Sequence, residues 1–279
     1  MDVLPAPLGP LLAEARGRRS LLVLDYDGTL APFRAERLEA APDARLLPPL
    51  RRLAGSSRVR LVVLSGRPIV ELEQLLPLDP LPELWGVHGW EHRLPDGRRD
   101  DPPLPRGLRE LLEVEARGLA DLAPERLERK AASLALHWRG VGAREAQELE
   151  ERVAPRWRAV AVAEPALDLR RFDGGLELRA SGRDKGSALR ELLAAEGPAS
   201  PACYVGDDET DEDAFRVLRA ASARDARAVG VLVSEHARET GAACRLTPGS
   251  VRVLLERWAE AAEAPPAGGP SAAPAPGAA

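Results

Sequence analysis

Short apolar runs recur along the chain, each bounded by turn-forming or charged residues. They are SLLVLD (20–25), VRLVVLS (59–65), LWGVH (84–88), ACYVGD (202–207) and AVGVLV (228–233). Unbroken apolarity over so few positions predicts strands covered on both faces, as in a parallel sheet. Between these runs the pattern changes to helical spacing. The segment 41–55 ends on Gly55, a common helix terminator, and 182–198 ends on Gly197 followed by Pro198. Ser181 and Asp184 are spaced as a capping box for the second of these helices. The segment 210–221 has acids in its first turn, where the helix dipole favours them. Strands alternating with helices predict an α/β fold built on a Rossmann-like, doubly wound parallel sheet.

The stretch 104–178 breaks that rhythm. It reads as a helix (106–124), a strand (132–140), a second helix (143–159) and two strand-like pieces, LDLRRF and GLELRA, joined through Asp173-Gly174-Gly175. Asp-Gly and Gly-Gly are hairpin signals. The expected layout is an N-terminal segment (1–18), a first core half (19–103), an inserted α+β cap (104–178), a second core half (179–262) and a disordered tail (263–279). The tail is Pro, Ala, Gly and Ser without periodicity, a composition that cannot bury a core.

Composition narrows the function classes. The chain has 279 residues, a formal net charge of −5 and 44% apolar residues, ordinary values for a globular protein. Mild acidity argues against a general nucleic-acid binder. No apolar run approaches the roughly 20 residues of a membrane span, and the start has no signal-peptide pattern, so a cytoplasmic protein is expected. Cys203 and Cys244 cannot make a disulfide framework. All but two of the 39 basic residues are Arg, which makes Lys130 and Lys185 conspicuous.

The first apolar run ends in DYDGTL. Asp25 and Asp27 are two carboxylates separated by one residue at a strand's carboxyl end, where ligands bind in such sheets. Like charges held together there call for a cation, and magnesium prefers oxygen ligands. Asp207 ends another strand run and could lie beside them. The acidic run 207–213 is not an EF-hand loop, because Glu212 stands where Gly is required.

DYDGTL, LSGR (64–67), Lys185 in SGRDKG, and GDDETDED resemble, in order, the four motifs of haloacid-dehalogenase-type phosphatases. Within that superfamily GVHGWEH (86–92), ERKAASLALHWR (128–139) and GLELRASGRDKG (175–186) resemble trehalose-6-phosphate phosphatases, with Trp138 where Tyr is frequent and Arg179 where Lys is common. The resemblance implies hydrolysis of trehalose 6-phosphate through an aspartyl-phosphate. Asp25 is then the nucleophile, Asp27 the acid and base, and Ser65 and Lys185 the phosphate contacts. It implies Mg²⁺ held by Asp25, the backbone carbonyl of Asp27, and Asp207, with Asp208 and Asp211 behind them. Glu128, Lys130, Arg139 and Glu177 would contact the sugar, and Arg67, His88 and Glu91, in loops facing the cleft, would join them in binding substrate, with a structural histidine as the alternative for His88. A sugar phosphate is the expected partner, without nucleic acid or membrane, and with a functional link to trehalose-6-phosphate synthase. Two alternatives stand beside this reading: a phosphatase for sucrose phosphate or a phosphorylated glycoside, and an inactive sugar-phosphate-binding regulator.

Overall fold

The computed structural model describes residues 4–34, 36–119, 121–122, 124–172, 174–222 and 227–265. Asp173 of the expected hairpin turn, and the tail beyond 265, lie outside them. The five apolar runs supply β1 (Ser20–Leu24), β2 (Val59–Leu64), β3 (Glu83–Gly86), β9 (Ala202–Gly206) and β10 (Ala228–Val233). Two short strands, β4 (Glu91–Arg93) and β11 (Cys244–Leu246), extend the edges, giving the order β11-β10-β9-β1-β2-β3-β4. Every pairing is parallel except β3 with β4.

β1 lies at the centre, and its period-two geometry divides its side chains between two layers. Leu22 and Leu24 face a core closed by α1 (Leu8–Ala15), α2 (Leu47–Ala54), α3 (Ile69–Leu75) and α8 (Val251–Glu263), with Trp258 fully buried. Leu21 and Val23 face the opposite core, closed by α6 (Lys185–Glu196) and α7 (Glu212–Ser222) through Leu189, Phe215 and Leu218. Burial on both faces explains why β1 is apolar from Leu21 to Leu24.

A second, antiparallel sheet has the order β5-β6-β8-β7, from β5 (Leu127–Arg129), β6 (Ser133–His137), β7 (Leu167–Phe172) and β8 (Gly175–Ala180). α4 (Arg106–Gly118) and α5 (Ala143–Ala163) cover it. Leu108, Leu112, Val153 and Trp157 pack on Leu134, Leu136, Leu176 and Leu178 to form this unit's own apolar core.

Three local expectations are corrected. The capping box of α6 is Asp184 with Ser187, not Ser181 with Asp184, because the helix begins only at Lys185. Ser181 instead donates to the Pro165 carbonyl at 3.3 Å. The strand over 84–88 stops at Gly86, and the chain turns through Val87 (φ 49°) and His88 (φ 54°). Their amides donate to the carbonyls of Arg67 and Ser65 at 3.0 and 2.9 Å, so bonding across the end of β2 overrides the strand pattern. α4 ends at Gly118 rather than near 124, with the guanidinium of Arg156 from α5 packed over the glycine. No helix among the described residues is long and apolar enough to cross a membrane.

Candidate active site

A cleft of about 700 Å³ opens where the carboxyl ends of β1 and β2 meet the second sheet. Its floor begins with registration. Leu24 pairs with Val205, so Asp25 and Asp207 leave neighbouring parallel strands almost abreast. The Asp25 amide donates to the Val205 carbonyl at 2.8 Å, which continues the ladder into the site. Gly28 (φ +72°) turns the chain back, its amide donating to the Ala31 carbonyl at 2.8 Å. A Cβ at Gly28 would fall 1.9 Å from Asp207 Oδ2, so the turn allows that carboxylate to approach the backbone.

Asp25, Lys185 and Asp211 are buried together. Lys185 Nζ lies 3.0 Å from Asp25 Oδ1 and donates to Asp211 Oδ1 at 2.6 Å. Tyr204 OH donates to the same Asp211 oxygen, while the amides of Asp207 and Asp208 donate to Oδ2 at 2.8 and 2.9 Å. Both oxygens of Asp211 are therefore occupied, and its work is to hold Lys185 and the 207–208 turn. Asp208 accepts from Thr210 N and Oγ1 at 2.8 and 2.7 Å and caps the turn that follows.

The acidic groups here are under electrostatic pressure. Burial pushes the Asp25 carboxyl well above its usual range, and Asp211, Asp207 and Asp208 add to this against the opposing Lys185. Burial, with Asp211, Asp208 and Asp27 adding and Lys185 opposing, pushes Asp207 up to about 7. Carboxylate oxygens of Asp25, Asp207 and Asp211 lie within 4.8 Å of one another, and Asp207 Oδ1 is buried without a hydrogen-bond partner. A set of hard oxygen donors with one orphaned atom and an unbalanced negative charge suits a small divalent cation.

Asp27 points elsewhere. Arg67 holds both of its oxygens in a fork, at 2.7 Å each. The same guanidinium donates to the Arg37 carbonyl at 2.8 Å and to Glu71 at 3.1 Å. Arg67 thus lines the cleft but is committed to core groups. Ser65 follows β2 and caps its own turn, its Oγ accepting from the Arg67 amide at 3.2 Å. His88 reaches the cleft in its left-handed conformation. Its ring would be 2.7 Å from a Cβ at Gly66, and its Nδ1 is buried without a partner. Burial, together with nearby Arg179, Lys185 and Lys130 and against Glu177, pushes its pKa down to about 3, so the ring is neutral.

The second sheet supplies the opposite wall. Glu177 on β8 accepts from Ser133 Oγ at 2.7 Å and from Lys130 Nζ at 3.1 Å. Lys130 also donates across to the Gly66 carbonyl at 3.2 Å. Glu128 on β5 bonds His137 Nε2 at 2.8 Å. Burial alone would raise both carboxyl groups. Lys130, Ser133 and His88 overcome it at Glu177, and His137, Lys130 and Arg37 at Glu128, holding each at about 2. Arg139 lies over the Phe33 ring, 5.9 Å from its centroid.

The structure brings together Asp25, Asp27, Ser65, Arg67, His88, Glu128, Lys130, Arg139, Glu177, Lys185 and Asp208 around this cleft, with Asp207 and Asp211 beneath it. Glu91 does not join them. Its carboxylate accepts from the Ile69 amide at 2.7 Å, capping α3, whose N-cap Pro68 has no side-chain acceptor to offer. Expected in a loop facing the cleft, it serves the fold instead. Arg37, Tyr204 and Glu71 were invisible as site residues in the sequence, because packing rather than local pattern brings them here.

Residues 23–247 match the model of the trehalose-phosphatase family. A trehalose 6-phosphate phosphatase of Zea mays is 31% identical over 278 residues, covering 91% of this chain and 73% of the relative. The C-terminal domain of a trehalose-6-phosphate phosphatase from C. albicans superposes with a TM-score of 0.76 at 20% identity, covering 93% of this chain and 98% of that one. The C-terminal domain of a Candida albicans trehalose synthase regulatory protein superposes with a TM-score of 0.70 at 11% identity, covering 91% and 100%. At such identities the two structures speak for the fold, whereas the family match and the maize relative speak for descent: the chain belongs to the trehalose-phosphatase family.

Proposed function

We propose that the protein hydrolyses trehalose 6-phosphate in a magnesium-dependent reaction that passes through a phosphorylated Asp25. The observation that carries this is the facing of two unlike walls across one cleft. Buried Asp25 and Lys185, with half-buried Asp207 beneath them, form one side, and Glu128, Lys130 and Glu177 of the second sheet form the other. The first suits a phosphoryl group, the second a ring of hydroxyls, which carboxylates accept and lysine answers as donor.

Asp25 attacks phosphorus and forms an acyl-phosphate bond as the bond from phosphorus to the sugar oxygen breaks. Asp27 gives its proton to that departing oxygen. It then takes a proton from the water that attacks phosphorus, releasing phosphate and restoring Asp25. For this Asp27 must leave the fork of Arg67, where both of its oxygens accept, and take up a proton from solvent; the proton later taken from the attacking water replaces the one given to the sugar oxygen. Lys185 restrains the attacking carboxylate and neutralises phosphoryl charge, and Ser65 turns its hydroxyl to a phosphoryl oxygen. Asp25, Asp207 and the Asp27 carbonyl would hold Mg²⁺, which when bound offsets the negative charge shared by carboxylates and phosphoryl group. Glu128, Lys130, Glu177 and Arg139 grip the sugar, and the neutral His88 offers a hydrogen bond beside the phosphate.

One experiment tests the reading: phosphate release from a panel of sugar phosphates, with magnesium, with excess chelator, and with Asp25→Asn. Trehalose 6-phosphate should be turned over with the highest kcat/KM. The chelator should abolish release, and Asp25→Asn should lower it by more than about a thousandfold. Preference for another sugar phosphate, or activity surviving chelator, would overturn the assignment. A silent wild type would favour the inactive sugar-phosphate-binding regulator, against the presence of Asp25, Asp27, Asp207 and Lys185.

A further inference from the structure

Arg37 belongs to no motif. It sits in a 3₁₀ turn of the core, over Arg37–Glu39, yet it reaches the facing sheet. Its Nη1 pairs with Glu128 Oε2, and its Nη2 donates to both oxygens of Glu71 at 2.9 and 3.0 Å. The two oxygens of Glu128 are treated unequally. Oε2 receives Arg37 and His137, with Lys130 Nζ at 3.8 Å, while Oε1 is buried with no partner. A buried carboxylate oxygen without a donor is costly, and such exceptions call for an explanation. This one is on a residue that lines the cleft.

We propose that Arg37 is a positioning residue for substrate selection: it fixes Glu128 across the boundary between core and cap, so that Oε1 is presented to a hydroxyl of the substrate's sugar. The proposal rests on the reading of Glu128 as a sugar contact. The planar guanidinium suits the task because it satisfies two acids in fixed directions, Glu71 on one side and Glu128 on the other; an ammonium group offers no such fork. Glu71 anchors Arg37 to α3, so the orientation of a cap carboxylate is set from the core. Sugar recognition then depends on the cap being seated, since Glu128 meets its anchor only when the two units are in contact.

The test is steady-state kinetics on trehalose 6-phosphate and on a small aryl phosphate, with magnesium, for wild type, Arg37→Gln, Arg37→Lys, Glu128→Gln and the Arg37→Gln/Glu128→Gln double variant. Arg37→Gln should raise KM for trehalose 6-phosphate about tenfold, with kcat changed less than threefold, and Glu128→Gln should do the same. The double variant should be no more than twofold worse than Glu128→Gln alone, because both changes remove one contact. The aryl ester should be affected no more than threefold by Arg37→Gln, since it has no sugar to present. Arg37→Lys should show the same KM shift at smaller size, and it carries the test if Arg37→Gln folds poorly. Effects that multiply in the double variant would overturn the proposal, as would equal losses on both esters. An unchanged KM in Arg37→Gln beside a raised one in Glu128→Gln would sink the role of Arg37 alone. An unchanged KM in Glu128→Gln would remove the sugar reading of Glu128 itself, and the proposal with it.

Discussion

Gly28 shows how tightly one position can bind local geometry to chemistry. Its φ of +72° is disfavoured for any residue with a Cβ, and that Cβ would stand 1.9 Å from Asp207 Oδ2. Gly28→Ala therefore carries backbone strain of about 1–2 kcal/mol and must also push Asp207 away from Asp25. The half-saturating magnesium concentration for phosphate release should rise at least tenfold, alongside a modest fall in Tm. A variant with wild-type magnesium dependence would show that Asp207 is not held against this turn. Asp25 and Asp207 could be found in the sequence because each ends an apolar run, where a charge is visible without knowledge of the fold, and Asp27 and Gly28 follow within three residues of Asp25. Asp211 gave a weaker signal: its four partners are Lys185, Tyr204 and two amides, and only the folded chain shows that it organises the other acids. Glu91 misleads for the opposite reason. It is close in sequence to His88, but its carboxylate turns to the end of α3.

At the scale of elements, unbroken apolar runs were legible and short polar edges were not. β4, β5 and β11 read EHR, LER and CRL, and neighbouring backbone rather than side-chain pattern makes them strands. α8 is unassigned in the sequence reading, although Val251, Leu254, Leu255 and Trp258 fall at helical spacing. The sheet edge also hides a polar knot. Glu83 on β3 accepts from Arg60 Nε at 2.7 Å and from Trp85 Nε1 at 2.8 Å, and His92 Nε2 of β4 lies 2.9 Å from it. Burial alone would raise its carboxyl pKa, but His92, Arg60 and Trp85 outweigh burial and bring it to about 2 from the usual 4.5. A value depressed on folding means that the unfolded chain takes up this proton first as the pH falls. The stabilisation is therefore complete above about pH 5 and disappears as the pH drops toward 2, with a size of roughly 2–3 kcal/mol at neutrality. Glu83→Gln should lower Tm at pH 7 and should flatten the fall in Tm between pH 5 and pH 3 relative to wild type. Parallel Tm profiles for the two proteins across that range would mean that Glu83 does not carry this acid sensitivity.

Over the whole molecule, the proposed function divides two tasks, phosphate chemistry and sugar recognition, between the larger sheet and the smaller antiparallel sheet. The chain's two lysines fall on opposite sides of that division. Lys185 starts α6 and lies 3.0 Å from Asp25, so on the proposed mechanism it would meet any phosphate ester that Asp25 attacks. Lys130 follows β5 and is bonded to Glu177 and to the Gly66 carbonyl, so on the same reading it would face the group attached to the phosphate. Arg is a fair substitute for both, since it keeps the charge while changing its shape and reach. Lys185→Arg should depress kcat for trehalose 6-phosphate and for a small aryl phosphate alike, because a bulkier fork beside Asp25 disturbs the attacking carboxylate whatever the leaving group. Lys130→Arg should lower kcat/KM for trehalose 6-phosphate by roughly 1–3 kcal/mol, the scale of a lost charged hydrogen bond, and should affect the aryl ester far less. A two-substrate comparison of both variants decides the matter. Equal impairment of both esters by Lys130→Arg would mean that the cap lysine governs closure rather than sugar recognition, for closure serves every substrate. An aryl ester spared by Lys185→Arg would remove Lys185 from the phosphate, and its contacts with Asp25 and Asp211 would then belong to the stability of the buried acids alone.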